Sequence, residues 1–269
     1  MRALSLHHMS LLDMPVTELV DTAAELGCAH VCVFTQQPPD GGGGMPAIGD
    51  ADVKQVKMRM TRAGITAYCM TSFPLLPDTD PTGYRAALER GAQLGATRAS
   101  LRFCDTDEQR LVDNLSAVDE LCRELGILPS VEFTGFANPD ALPQVLRVIA
   151  RAGCGRVTLD PLHIARSGTP WVAIEALDRN LIGCVQICDG PAEGTATDYA
   201  HEQAFDRMMP GEGAFPLARL LAASPPELPL SLEIPCTSLR DQGLGPRDRA
   251  REIVGKTRAY LQAFDRNAG

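Results

Sequence analysis

The sequence lacks an excess of positive charge, a long apolar run and a leader-like N-terminus. It has 25 lysines and arginines against 34 aspartates and glutamates, which gives a formal net charge of −9. A nucleic-acid-binding protein, in contrast, presents a basic surface. No run approaches the roughly 18 consecutive apolar residues of a transmembrane helix. Residues 1–8 are too short and too polar for the apolar region of a signal peptide. We therefore expect a cytoplasmic protein that contacts neither nucleic acid nor membrane and binds a small neutral or modestly charged ligand.

Sequence motifs for nucleotides and for thiolate-bound zinc are also missing. No Gly-x-Gly-x-x-Gly follows a strand-like run and no Walker-type phosphate loop occurs, so neither type of phosphate site is indicated. None of the nine cysteines belongs to a Cys-x-x-Cys pair, which argues against a thiolate zinc site. We expect the cysteines beside apolar runs to be small buried side chains in a reducing compartment.

What the sequence does contain is a repeat in which an amphipathic helix ends at a glycine and a short apolar strand follows. The glycines are Gly27, Gly64, Gly95, Gly126 and Gly153, spaced 37, 31, 31 and 27 residues apart. Each glycine suits the left-handed position that ends a helix, and the spacing is that of a βα unit.

Extending this pattern along the chain gives eight strands that alternate with eight helices. The strands are expected near residues 3–7, 30–34, 65–69, 98–103, 129–133, 156–160, 182–187 and 229–234. The helices are expected near residues 16–26, 51–63, 82–94, 107–125, 139–152, 170–178, 214–223 and 246–264. Strict alternation predicts parallel strands with helical crossovers. Eight units predict a single α/β domain over residues 1–269, a (β/α)8 TIM barrel, with a doubly wound open sheet as the alternative.

Polar side chains stand at the ends of the last four predicted strands. They are Glu132, Asp160, Gln186 and Glu233. In a barrel these strand ends share one mouth, and a buried carboxylate is costly unless it is paired or binds a metal. Three carboxylates and an amide oxygen form an all-oxygen donor set, which favours Mn²⁺ or Mg²⁺ over Zn²⁺. The alternative is that each is an ordinary polar residue facing a loop.

Other residues near the same mouth are candidates for catalysis or substrate binding. His163, three positions after Asp160, is a candidate acid/base, or else a structural histidine at the start of the next helix. Arg207 is a candidate for holding a substrate oxygen or carboxylate, or else forms a loop salt bridge. His7, Tyr68 and Arg102 are expected to line the pocket, with packing as the alternative. Specificity is expected from the long connections 35–50, 71–81 and 188–213, since barrel enzymes carry their sites on these loops.

Together these residues resemble those of the xylose-isomerase-like TIM barrels, a superfamily of sugar isomerases, ketose 3-epimerases, hydroxypyruvate isomerases and endonuclease IV. Glu132 is similar to the strand-five metal glutamate of the family, and Glu233 to the strand-eight glutamate. Asp160 and His163 resemble the strand-six Asp-x-x-His. Arg207 with 210–213 resembles an arginine followed by Pro-Gly-x-Gly.

The chain departs from this family pattern at two positions. Gln186 replaces the metal-binding histidine that many members carry on strand seven, as in some bacterial 3-dehydroshikimate dehydratases of this fold. Asn138 stands in a region where ketose 3-epimerases tend to carry a glutamate. With five histidines in total, the chain cannot supply the additional ligands of the three-zinc endonuclease IV site.

The resemblance implies proton removal beside a carbonyl, with a divalent metal stabilising the enediolate. We expect an isomerase or epimerase of a small sugar-like hydroxy-carbonyl compound, in which Glu132 and Glu233 are both metal ligands and proton carriers. The alternatives are a metal-dependent lyase of the 3-dehydroshikimate type, with His163 as acid/base, and a barrel that binds its ligand without turnover. A homodimer is the family-level expectation.

Overall fold

The strands close into a barrel in which each pairs in parallel with the next and the last pairs with the first. This is a computed structural model that describes residues 2–38 and 44–268. The strands are β1 (Leu4–His7), β2 (His30–Phe34), β3 (Thr66–Leu75), β4 (Arg98–Phe103), β5 (Leu128–Glu132), β6 (Arg156–Leu159), β7 (Ile182–Ile187) and β8 (Leu230–Leu232). The predicted (β/α)8 barrel is confirmed, and the open-sheet alternative is wrong.

Helices follow the strands along the chain and surround the barrel. They are α1 (Val16–Glu25), α2 (Asp50–Ala63), α3 (Arg85–Gln93), α4 (Glu108–Glu124), α5 (Ala141–Ala152), α6 (Pro161–Ser167), α7 (Trp171–Glu175), α8 (Ala196–Ala204), α9 (Leu217–Ala223), α10 (Thr237–Asp241) and α11 (Pro246–Ala268). The five glycines predicted to end helices all have positive φ, between +67° and +87°. In the described part of the chain, no helix is long and apolar enough to cross a membrane.

The alternation of side chains along the strands separates the main apolar core from the barrel interior. In β1, Leu4 and Leu6 belong to the continuous buried cluster formed with the helices. Ser5, between them, lies within 3.2 Å of the Cys32 thiol, which also contacts Ser231 at 3.3 Å. The interior of the barrel therefore contains small polar groups that satisfy one another, as buried polar atoms must.

The structure departs from the predicted elements in the connections. β3 continues to Leu75, so the first half of the predicted 71–81 loop is strand. The helix predicted over 170–178 is only α7, and α6, α8 and α10 were not predicted. Part of the predicted 35–50 loop, residues 39–43, lies outside the described residues.

Candidate functional site

A cavity of about 390 Å³ opens at the C-terminal ends of the strands. Its wall contains most of the residues singled out in the sequence: His7, Arg102, Glu132, His163, Gln186, Arg207 and Glu233. Phe34, Met9 and Met45 add apolar surface to the same wall. Asp160 is 0% exposed and lies behind this wall. The topology thus brings the polar strand ends together as expected for a barrel mouth.

Asp160 and Glu233 are joined by the guanidinium of Arg207. Its Nη1 donates to Asp160 Oδ2 at 2.8 Å, and its Nη2 donates to Glu233 Oε1 at 3.0 Å. Nη1 also lies 3.2 Å from the backbone carbonyl of Glu233. The backbone N–H of Arg207 donates to the carbonyl of Pro235, which fixes this segment beside the end of β8. In this structure Arg207 is thus an internal counter-ion of the carboxylates, a more specific arrangement than a loop salt bridge.

Asp160 also holds the start of α6. Its Oδ1 accepts the backbone N–H of Leu162 at 2.8 Å, and Pro161 occupies the first turn. An N-terminal aspartate with proline directly after it is a common helix start. The residue that caps the N-terminus of this helix is thus Asp160, and His163 projects from the first turn toward the carboxylates. Its Nε2 lies 3.7 Å from Asp160 Oδ2 and 3.9 Å from Glu132 Oε2.

His7 and Gln186 converge on the other side of Glu233. Nδ1 of His7 accepts the backbone N–H of Met9 at 3.0 Å, so Nε2 carries the ring proton and points at Glu233 Oε2, 3.4 Å away. The amide nitrogen of Gln186 donates to the same Glu233 oxygen. The amide oxygen of Gln186 and Oε1 of Glu132 are both buried, and neither has a hydrogen-bond partner among residues 2–38 and 44–268.

Burial and mutual repulsion shift the ionisation of these groups. Burial, together with the charges of Glu233 and Asp160, raises the pKa of Glu132 to about 8. Burial also raises the pKa of Glu233 and lowers the pKa of both His7 and His163. Burial opposes ionisation of Asp160, but Arg207 and then His163 outweigh it and hold its pKa below the ordinary value.

These buried groups fit a divalent cation. Ionised Glu132, Asp160 and Glu233 would carry three negative charges, and Arg207 contributes one positive charge. With the two histidines of the site neutral, the net charge is −2. The two unpartnered acceptors, on Glu132 and Gln186, supply lone pairs that a cation would satisfy. An alternative set of ligands is also present, because one atom each from Glu132, Asp160 and His163 lies within 4.8 Å of the other two. In this set the imidazole of His163 takes the place of Gln186 and Glu233.

Tyr68, which was expected to line the pocket, does not line this cavity. Its hydroxyl donates to the carbonyl of Gly183 at 3.2 Å, and its ring packs with Cys32, Cys69 and Cys184. The prediction assumed that β3 ends near Tyr68. Because β3 continues to Leu75, Tyr68 lies below the mouth, and Thr71 and Ser72 line the cavity instead.

The Pro-Gly-x-Gly turn is packed around Asp189. The Asp189 carboxylate accepts three backbone N–H groups, those of Gly190, Gly211 and Phe215, at 2.9–3.0 Å. A Cβ on Gly213 would lie 2.3 Å from Asp189 Oδ1 and 2.4 Å from the carbonyl oxygen of Gly190. Only a glycine fits there, so the motif fixes the segment that follows Arg207.

The short helix α8 was missed in the sequence, although it borders the site. Gln203 and Ala204 line the cavity, and the Tyr199 hydroxyl lies 2.9 Å from His163 Nδ1. A reciprocal capping box between Thr195 and Asp198 begins the helix, and this Thr-x-x-Asp spacing was a signal that could have located it.

The family assignment rests on most of the chain. The sequence pattern of the xylose isomerase-like TIM barrel family matches residues 20–260. The chain belongs to this family. No curated protein sequence matches it significantly.

Several solved structures share the fold of this family member. The IOLI protein with a bound zinc atom superposes with a TM-score of 0.79 at 15% identity, covering 98% of this chain and 99% of that one. A probable 3-DHS dehydratase, AsbF from Bacillus anthracis, gives 0.68 at 15% identity, covering 94% and 97%. D-allulose 3-epimerase from Methylomonas sp. gives 0.68 at 14% identity, covering 98% and 99%. At such identities the likeness shows the fold alone.

Proposed function

We propose that this chain is a divalent-metal-dependent isomerase or epimerase that acts on a small sugar-like hydroxy-carbonyl compound through an enediolate. The observation that carries the proposal is a pair of carboxylates, Glu132 and Glu233, that both line one cavity while Asp160 is buried behind them. Two carboxylates beside one substrate can remove a proton at one position and return a proton at another.

The other residues at the cavity complete this proposal. Arg102 and His7 hold substrate oxygens, Arg207 keeps its place as counter-ion between Asp160 and Glu233, and His163 acts as an acid/base. Oxygen atoms of Glu132, Asp160, Gln186 and Glu233 would hold the metal. A divalent ion bound there would supply polarisation of the substrate carbonyl and stabilisation of the enediolate charge. An all-oxygen donor set favours Mn²⁺ or Mg²⁺ over Zn²⁺.

A metal-dependent dehydratase of the 3-dehydroshikimate type is the second candidate, and Gln186 is the observation that favours it. In this respect the chain resembles some bacterial 3-dehydroshikimate dehydratases, which also have glutamine at the strand-seven position. In this reaction a base removes the proton beside the ketone, and the resulting electron pair forms a double bond as the β-hydroxyl leaves. The imidazolium form of His163 would donate the proton with which that hydroxyl departs as water, and the ring would become neutral in this step.

One isotope experiment separates these reactions. The protein is loaded with Mn²⁺ and incubated in deuterated water, with candidate ketoses in one set of samples and 3-dehydroshikimate in another. Deuterium bound to carbon in the recovered sugar is expected if the chain is an isomerase or epimerase. A product with aromatic ultraviolet absorption would instead support the dehydratase. The absence of both signals would contradict both reactions and would leave a barrel that binds its ligand without turnover.

A matched pair of variants tests the metal. Glu233→Gln keeps the shape of the side chain but removes one carboxylate charge, so we expect it to abolish Mn²⁺ binding in a calorimetric titration. Glu193→Gln makes the same change at an exposed position of the β7–α8 connection and should bind Mn²⁺ like the parent protein. Equal binding by both variants would refute the assignment of Glu233 as a ligand.

A further inference from the structure

Tyr199 places its hydroxyl between the loop after β5 and the ring of His163. The hydroxyl oxygen lies 2.9 Å from His163 Nδ1 and accepts the backbone N–H of Gly135 at 3.0 Å. The two rings meet edge to face, with centroids 5.7 Å apart and planes at 85°. Both side chains are buried, Tyr199 at 7% exposure and His163 at 3%. The contact is therefore fixed by packing as well as by hydrogen bonding.

The hydrogen-bond partners of the Tyr199 hydroxyl indicate which ring nitrogen of His163 carries hydrogen. A tyrosine hydroxyl has one proton to donate, and its oxygen can accept. The oxygen already accepts from Gly135, so the hydroxyl proton needs an acceptor. Within residues 2–38 and 44–268, the only acceptor recorded for it is His163 Nδ1. Nδ1 is then unprotonated, and in the neutral ring the proton lies on Nε2.

The Nε2 nitrogen is the one that faces the carboxylates. It lies 3.7 Å from Asp160 Oδ2 and 3.9 Å from Glu132 Oε2, and His163 lines the cavity. A protonated imidazole nitrogen has no free lone pair and cannot bind a cation. In this tautomer the ring offers a proton toward the cavity.

We propose that Tyr199 is a positioning residue that holds His163 in its Nε2–H tautomer, so that His163 donates a hydrogen bond at the cavity and is not a metal ligand. The catalytic consequence rests on the function proposed above, but the tautomer itself does not. His163 would then be excluded as a ligand of the cation, although Glu132, Asp160 and His163 lie close enough together to offer a mixed set.

The helix that carries Tyr199 is fastened to the helix that carries His163. Arg166 of α6 donates through two nitrogens to the two carboxylate oxygens of Glu202 on α8, each at 2.6 Å. Its backbone carbonyl also accepts the N–H of Ala137, from the segment that contains Gly135. These bonds connect the segments that carry Tyr199, His163 and Gly135. Such support is what a positioning role requires.

The tautomer can be measured directly in metal-free protein labelled with ¹⁵N in the imidazole rings. Long-range ¹H–¹⁵N correlation spectra distinguish a protonated from an unprotonated ring nitrogen, and the loss of one spin system in His163→Gln assigns the signal. We expect Nε2 of His163 to be protonated and Nδ1 unprotonated. A ring protonated at Nδ1, alone or together with Nε2, would overturn the proposal without any variant of Tyr199 having to fold.

Two tyrosine variants then test the part played by the hydroxyl. Tyr199→Phe removes the proton offered to Nδ1, so the His163 signals should move toward the Nδ1–H tautomer. Tyr68→Phe removes an equally buried hydroxyl that bonds Gly183 below the mouth and should leave the His163 signals unchanged. Unaltered signals in Tyr199→Phe would refute the positioning role. Titration of the parent protein with diamagnetic Mg²⁺ completes the test, because Nε2 must keep its proton when the ion binds.

The tautomer of His163 and the proposed function can be refuted independently. Inactivity toward every candidate substrate would leave the tautomer measurement intact. Conversely, a protein that incorporates deuterium but shows Nδ1–H would retain the function and lose the role of Tyr199. If turnover is found, Tyr199→Phe should lower kcat more than it raises KM, since the hydrogen bond that His163 donates toward the reacting groups is misaligned while the groups that bind substrate remain.

Discussion

Removal of the Glu202 carboxylate is expected to destabilise the protein far more than removal of an exposed carboxylate. The side chain of Arg166 is 3% exposed and that of Glu202 10%, and two charged hydrogen bonds of 2.6 Å join them. Glu202→Ala leaves the guanidinium buried with the carbonyl of Pro191 at 3.1 Å and the ring of Phe215 at 5.3 Å. Breaking a buried pair typically costs about 3–5 kcal/mol, and these remaining contacts place the expected loss near the lower end, about 3 kcal/mol.

The free energy of unfolding in urea measures this loss, and the chain offers a matched control. Arg219 and Glu175 also form a two-point pair, at 2.5 and 2.9 Å, but both side chains are more than 40% exposed. Glu175→Ala should therefore have a much smaller effect. Adding Arg166→Leu to Glu202→Ala should recover part of the loss, because it removes the stranded charge. A loss in Glu202→Ala no greater than in Glu175→Ala would refute the view that this pair fastens α8.

Three further predictions concern pH, metal choice and backbone packing. Burial lowers the pKa of His8 from 6.5 to about 4, and its Nε2 donates to the Met14 carbonyl at 2.8 Å while Nδ1 has no recorded partner. The unfolded chain binds this proton at higher pH than the folded protein does, so His8 should cost about 2 kcal/mol of stability between roughly pH 7 and pH 5. Urea unfolding of His8→Gln, which keeps an N–H donor but does not titrate, should lack this component; an identical pH slope would count against it. Gln186→His replaces an oxygen donor with imidazole and should shift metal preference toward Zn²⁺ or Co²⁺ in competitive titrations, whereas an unchanged preference would show that Gln186 does not select the ion. Gly213→Ala forces a methyl group against Asp189 and the backbone of Gly190 and should lower unfolding free energy by about 1–3 kcal/mol; Gly83→Ala, where a Cβ meets nothing within 4 Å, is the control, and equal effects would contradict the packing account.

The parts of the fold that sequence predicts well are those set by local rules. A helix that must end before a strand requires a left-handed residue, and Gly64 and Gly153 have the positive φ that this implies. Polar residues at the ends of apolar runs are similarly local signals. Once the strands close into a barrel, geometry alone brings Glu132 and Glu233 to one cavity.

The parts that sequence predicts poorly depend on contacts between distant segments. Tyr68 was placed at the mouth because nothing local reveals that β3 continues to Leu75. The bridge from Arg207 to both Asp160 and Glu233 joins three separate connections. The hydroxyl of Tyr199 meets His163 only because α8 folds back over α6, a tertiary arrangement that no spacing in the sequence specifies.

The polar strand ends are proposed to form one divalent-cation site made of oxygen atoms. An anomalous-difference map from a crystal soaked in Mn²⁺ would locate the ion. We expect one strong peak at the base of the cavity, bound by carboxylate oxygens of Glu132, Asp160 and Glu233 and by the amide oxygen of Gln186. A map without a peak among these residues, at a Mn²⁺ concentration that saturates binding in solution, would contradict it.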